Sequence, residues 1–226
     1  MDFETLVRTR RSVRGYKSDP VPRKIIEEIV DVAKGAPSSM NTQPWYLHVI
    51  TGQPLDRIRE GNTEKMMTGA KPKRDFPMTD AYVGIYRQRQ VEIAVQLFEA
   101  MGIGREDKDK KRDWMMRGFR QFDAPVSIVL TYEKVMEPAA ISQFDLGAVC
   151  YGICLAAWER GLGTVINGQG IMQSDVVREH AGIPDDQNIM TCIAMGYPDE
   201  EFSANTVKSH REASGNFVSY VGFPDG

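Results

Sequence analysis

Apolar residues mark one helix face in Ile25, Ile26, Ile29, Val30 and Ala33, which recur at three- and four-residue steps. Pro22 suits the first turn of that helix, and Gly35 is placed to stop it. The rhythm then changes. "YLHVIT" is rich in β-formers and ends at Gly52. Beyond it the pattern predicts a helix over 54–67, then a polar loop, "TGAKPKRDFPMTD", long enough to lie over a site. An amphipathic helix over 79–101 is broken by "MGIG", and another helix runs through "EDKDKKRDWMMRGF". "APVSIVLTY" reads as a strand. Ser142 and Asp145 then resemble a capping pair for a helix ending at Arg160. That helix, "QFDLGAVCYGICLAAWER", has small and apolar residues on every side and few charges, so it is expected to be buried on most faces. "TVIN" and "NIMTCIAMGY" read as strands, residues 2–9 as a short helix, and "RTRRSVRGYKSDPVP" as a basic, turn-rich connection.

Strands separated by several helices, without strict alternation, favour an α+β layer fold over a doubly wound sheet. No repeat, low-complexity tract or linker divides the chain, so residues 1–226 are read as one domain. With 42% hydrophobic residues, 26% charged residues and a net charge of -3, nothing favours nucleic acid or an anionic membrane surface as a partner. No apolar run approaches the roughly 18 residues of a membrane span, and "MDFETLVRTRR" lacks the apolar core of a secretory signal. The odd cysteine count (Cys150, Cys154 and Cys192) does not form a disulfide framework and points to a reducing, cytoplasmic setting. With His48, His180 and His210 scattered, the thiols are expected to be buried packing groups rather than metal ligands.

Four stretches carry candidate chemistry. In "RTRRSVRG", Arg8, Arg10, Arg11 and Arg14 flank Ser12; guanidinium forks match phosphate oxygens, though the same residues also make an ordinary solvated turn. "GAPSSMNTQPW" packs Ser38, Ser39, Asn41 and Gln43 into a short joint. Those groups suit a polar heterocycle or sugar-like chain, or simply bond to the local backbone. In "RGLGTVINGQG", the glycines do not fit a dinucleotide fingerprint and lie on the wrong side of the strand, but Gly168 and Gly170 leave room for a flat ligand. Finally, Arg211 follows the "GYPDEE" turn with only Glu212 near it in sequence. No hydrolytic triad, zinc motif or paired-carboxylate pattern is present. The polar groups suit gripping a cofactor that brings the chemistry with it.

Taken in order, "RRSVRGY", "APSSMNTQPW", "GLGTVI" and "GYPDEE" with a downstream arginine resemble the FMN-dependent nitroreductase family over nearly the whole chain. The resemblance implies a three-layer fold, a mostly antiparallel sheet flanked by helices, and an intertwined homodimer with two FMN sites at its interface. It assigns Arg10, Arg11, Ser12 and Arg14 to the phosphate, ribityl and pyrimidine side, and Arg211 to the phosphate. Pro37, Ser38, Ser39 and Asn41, with Gln43 beside them, are assigned to the partner's flavin. Ile166, Asn167 and Gly168 are assigned to the isoalloxazine, with a backbone N–H near N5. Ser209 stands where many relatives carry a second basic residue, which leaves Arg211 alone, and Arg14 is the candidate to stabilise the reduced ring near N1 and O2. The tail 212–226, with Phe217, Val218, Tyr220, Val221 and Phe223, is expected to wrap the other subunit.

The implied activity is NAD(P)H-dependent reduction of nitroaromatics, quinones or similar flat acceptors. Hydride passes through flavin N5 by a ping-pong course, with no catalytic side chain. Reductive dehalogenation, ring dehydrogenation and non-catalytic FMN binding are the alternatives on the same fold. Tyr82, Tyr86, Arg89, Trp114 and Phe119 either line a lid or pack helices together.

Overall fold

The computed structural model describes residues 1–77 and 81–223. Seven helices and four strands follow in the order α1 (Phe3–Thr9), α2 (Arg23–Ala33), β1 (Tyr46–Ile50), α3 (Gly52–Met67), α4 (Gly84–Ala100), α5 (Lys108–Phe119), β2 (Val126–Glu133), α6 (Ala140–Glu159), β3 (Gly163–Asn167), α7 (Ser174–Ala181) and β4 (Gln187–Gly196). The strands form one antiparallel sheet in the order β1-β2-β4-β3.

Alternation along β2 builds three layers. Val126, Ile128, Leu130 and Tyr132 pack with Ile193 and Met195 of β4 against α2 and α6. Val129 points the other way and joins Ile189 and Cys192 of β4, Leu55 and Ile58 of α3, and Val177 of α7. β2 is buried on both faces, which explains its unbroken apolar run. All three cysteines are buried and unpaired.

Some expectations shift. Ser142 and Asp145 do not cap α6: the helix begins at Ala140, both residues lie inside it, and Asp145 Oδ2 accepts from Ser39 N–H at 3.1 Å. By composition α6 does reach a membrane-like mean hydropathy of 1.4 over an eighteen-residue window, but its Leu146, Val149 and Ile153 lie in the core between α2 and the sheet. The helix expected from 79 starts at Gly84, and residues 78–80 lie outside the described set. α7 has no counterpart in the sequence reading.

Candidate functional site

Sheet pairing delivers the arginine run. Ser12 bridges Thr164 in parallel along the outer edge of β3, and Val13 N–H donates to Thr164 O at 3.0 Å. Gly163 permits the approach, because a Cβ there would lie 2.5 Å from Val13 Cγ2. Beneath the run, the Tyr16 hydroxyl lies 2.7 Å from Val13 O and 3.1 Å from Ala194 O. Burial raises that hydroxyl's pKa well above the ordinary tyrosine value, so it stays a donor.

The run splits its cations between two cavities. Arg10 and Arg11 line one of about 540 Å³ together with Arg8, Tyr151, Lys208 and Arg211. Arg11 lies over the Trp158 ring at 5.5 Å and reaches Glu200 at 3.6 Å. Its buried Nε has no partner among the described residues. Arg211 curls onto its own segment, donating to Ser209 Oγ at 2.7 Å. Lys208 and Ser209 line the same cavity beside Arg211. Glu212 pairs with Arg89 at 2.7 Å rather than with Arg211.

Arg14 lines the second cavity, of about 290 Å³, with Arg74, Phe122, Ile166, Gly168 and Met172. Its guanidinium makes one long contact, 3.5 Å to Ser12 O, and has no carboxylate partner among the described residues. Burial pulls the pKa of both Arg14 and Arg74 below the usual arginine value, with no salt-bridged carboxylate on either among the described residues.

Sequence reasoning missed Arg74. The loop carrying it is tied down rather than free-standing. Lys73 N–H donates to Met172 O at 2.9 Å, Ser174 N–H donates to Lys73 O at 2.8 Å, and Asp75 Oδ2 accepts from Arg178 at 2.6 Å and Ile189 N–H at 2.8 Å. Desolvation pushes the Asp175 carboxyl up, but hydrogen bonds from Lys65 and Lys73 outweigh it and hold the pKa at about 2. Arg74 is left over the Phe76 ring at 4.4 Å, with Nη1 3.5 Å from where a Cβ on Gly168 would stand.

The corner after β3 is set from behind. Asn167 is buried, and its side chain turns inward: Nδ2 donates to Gly118 O at 2.7 Å, and Oδ1 accepts from Gln169 N–H at 3.0 Å. Only its backbone is left to meet a ligand. Asn62 and Gln121 both donate to Gly170 O, at 2.9 and 3.3 Å. Gly170 is therefore small to fit the protein, since a Cβ would lie 2.6 Å from Gln121 Cγ, whereas Gly168 borders the cavity. Ile166 is half exposed, at 52%.

Pro37, Ser38, Ser39, Asn41 and Gln43 line neither cavity. Ser38 Oγ accepts from Gln43 N–H at 2.9 Å, and Gln43 Nε2 donates to Asn41 Oδ1 at 3.1 Å. Pro37, Ser39, Asn41 and Gln43 are exposed, and Ser38 is half-buried. Phe144 and Tyr151 of α6, Tyr82, and Phe217, Tyr220, Val221 and Phe223 of the tail are all exposed. Of the residues weighed as a lid, Phe119 is core and Trp114 stacks at a tilt on Phe122 at 6.5 Å, whereas Tyr82 and Tyr86 are exposed.

Residues 7–197 match the family model described as the nitroreductase family. The chain is 32% identical to the chloronitrobenzene nitroreductase of Comamonas testosteroni, covering 97% of this chain and 96% of that protein. It is 33% identical to the nitrobenzene nitroreductase of Ectopseudomonas oleovorans with the same coverage. The FMN and NADPH-dependent nitroreductase NfnB of sphigopyxis sp. strain HMH superposes with a TM-score of 0.93 at 26% identity, covering 99% of this chain and 100% of that one.

Proposed function

The chain belongs to the nitroreductase family, and from that premise we propose that it is an FMN-dependent oxidoreductase that uses NADPH or NADH to reduce nitroaromatic, quinone or similar flat acceptors. The observation that carries this reading is the split arginine run. One cavity gathers Arg10, Arg11, Lys208 and Arg211, and the next holds Arg14 and Arg74 beside an exposed Ile166 and a side-chain-free Gly168. An unpartnered buried guanidinium nitrogen on Arg11, and two desolvated arginines without carboxylates, fit a ligand with a dianionic end and a flat, electron-accepting ring.

When bound, FMN supplies two-electron chemistry, taking hydride equivalents from a nicotinamide and passing them to the acceptor. Arg10, Arg11, Ser12, Lys208 and Arg211 hold the phosphate end. Arg14 and Arg74 offset negative charge at the ring, and the Ile166–Gly168 backbone supports its face. The sequence carries no dinucleotide fingerprint, so donor and acceptor use the same open face in turn. No side chain is assigned as acid, base or nucleophile.

A second chain completes the site. Pro37, Ser39, Asn41 and Gln43 are exposed, as are Phe144 and Tyr151 of α6 and the apolar tail, and together they suit a homodimer in which each loop, Ser38 included, serves the other subunit's cofactor. Buried free thiols fit a cytoplasmic location. The reading is tested by loading the protein with FMN anaerobically and mixing it with NADPH, then NADH, in a stopped-flow instrument. Bleaching of the flavin and its recovery on adding nitrobenzene are expected; no bleaching with either nucleotide overturns the enzyme. Removing residues 215–226 is expected to lower flavin content and dimer affinity together, measured by absorbance and sedimentation on one sample. A truncated chain that stays a fully loaded dimer overturns the role given to the tail.

A further inference from the structure

We infer that Asn205 is a positioning residue for the cationic pocket: its side-chain amide fixes the backbone that aims Arg14 and ties that backbone to the segment carrying Lys208 and Arg211. The inference rests on the reading above only for the identity of the ligand as FMN.

Asn205 is 1% exposed. Its Oδ1 accepts from Arg14 N–H at 2.7 Å and Gly15 N–H at 3.2 Å. Its Nδ2 donates to Gly15 O at 2.8 Å and Asp199 O at 2.9 Å. A side-chain amide has two acceptor positions and two donor hydrogens, and all four are used here. Three of them go to the backbone of two consecutive residues far away in sequence. Packing repeats the grip: a Cβ on Gly15 would lie 2.2 Å from Phe202 Cγ, so the ring rests on the bare Cα, and Arg117 lies over that ring at 4.6 Å. Asp199 N–H closes the contact with a bond to Gly15 O at 3.1 Å.

The clamp serves more than the fold because of what hangs from it. Among the described residues the Arg14 guanidinium makes only the 3.5 Å hydrogen bond to Ser12 O, so its direction follows its backbone. Any rotation of the 14–15 peptide is carried along the side chain into the cavity shared with Arg74, Ile166 and Gly168. Just beyond Asn205, Lys208 and Arg211 enter the other cavity with Arg10 and Arg11. One amide thus sets the spacing between the groups holding the anionic end and the cation facing the ring.

The test compares Asn205→Ala with the parent protein by amide hydrogen exchange without FMN, by FMN titration, and by the midpoint potential of bound FMN. Loss of protection is expected at Arg14 and Gly15 in the free protein. FMN affinity is expected to fall about tenfold (about 1.4 kcal/mol). Reduced FMN should lose about a further threefold, because a cation aimed at the ring favours the charge gained on reduction, which lowers the two-electron potential by about 14 mV. Unchanged protection at Arg14 and Gly15 overturns the clamp. Lost protection with parental FMN affinity and potential overturns the positioning role. A parent protein that fails to bind FMN overturns the proposed function instead, and exchange still decides the clamp. If Asn205→Ala does not fold, Asn205→Asp carries the test: it keeps both acceptor bonds, loses both donor bonds, and is expected to weaken FMN while Arg14 and Gly15 stay protected. Parental FMN affinity in that variant overturns the proposal.

Discussion

Two short stretches leave the right-handed half of backbone space without using glycine, and they are held in opposite ways. Gln121, Phe122 and Asp123 have φ of 55°, 56° and 56°; Met40, Asn41 and Gln43 have 51°, 57° and 47°. Left-handed geometry costs roughly 1–2 kcal/mol for each ordinary residue. The first stretch repays that cost inside its own chain. Gln121 and Phe122 are buried, and Arg59 crosses from α3 to donate to Arg120 O at 3.0 Å and also to Ala124 O. Gln121 reaches Gly170 O, and Trp114 stacks on Phe122. The second stretch has mostly its own short-range bonds, one distant tie from Ser39 N–H to Asp145, and a methionine that is 93% exposed. Strain compensated by burial belongs to the fold. Strain left facing solvent beside the exposed Ser39 and Asn41 has no such compensation from packing, which is what the proposed contact with a second chain would supply.

The largest effect should come from cutting the internal brace. Arg59→Ala removes charge-assisted bonds to two carbonyls and should lower stability by about 3 kcal/mol, read as a lower urea midpoint. A midpoint equal to the parent's would mean that the buried turn holds itself. Next, Asn41→Ala puts an ordinary side chain at φ 57° and should lower the unfolding free energy of the FMN-free protein by about 1 kcal/mol, well short of Arg59→Ala. It should also weaken FMN retention about tenfold in fluorescence titration. If instead it destabilises the free chain as Arg59→Ala does, the contrast between the two turns fails. The smallest effect is expected from Met40→Gly. Relief of the left-handed geometry, less the glycine's greater unfolded-state entropy, should raise free-chain stability by about 0.5 kcal/mol. A clear loss would show that the Met40 side chain already makes contacts that matter within the single chain.

Most of the architecture was legible because it rests on periodicity. All four strands and six of the seven helices leave apolar patterns longer than their boundary errors. α7 escaped because "SDVVREHA" offers only two turns, and its buried Val176 and Val177 are neighbours rather than a repeating face. Ser142 and Asp145 carry the composition of a cap, yet the bond Asp145 makes is to a loop more than a hundred residues away. The arginine run was readable as a cluster. Arg74 was not, because Lys71, Lys73 and Arg74 are alike in sequence. Only the pairing of Lys73 with Met172 and Asp175 leaves Arg74 as the one directed at Gly168. Lys208 was hidden for a related reason, since nothing in its sequence neighbourhood marks it as lining the same cavity as Arg10, Arg11 and Arg211.

The pairing of Ser12 and Val13 with Thr164 also bears on how the molecule behaves in a crowd. An outermost strand is an open template for foreign chains, and β3 would be one if bare. Here it is covered by a segment dense in arginine, so the residues proposed to capture the ligand also shield the sheet against unwanted growth. On the opposite border β1 pairs only with β2 and has no such cover. Growth by strand addition is thereby confined to one side of the sheet. A lesion that frees the arginine segment would bare that strand edge and so favour precipitation.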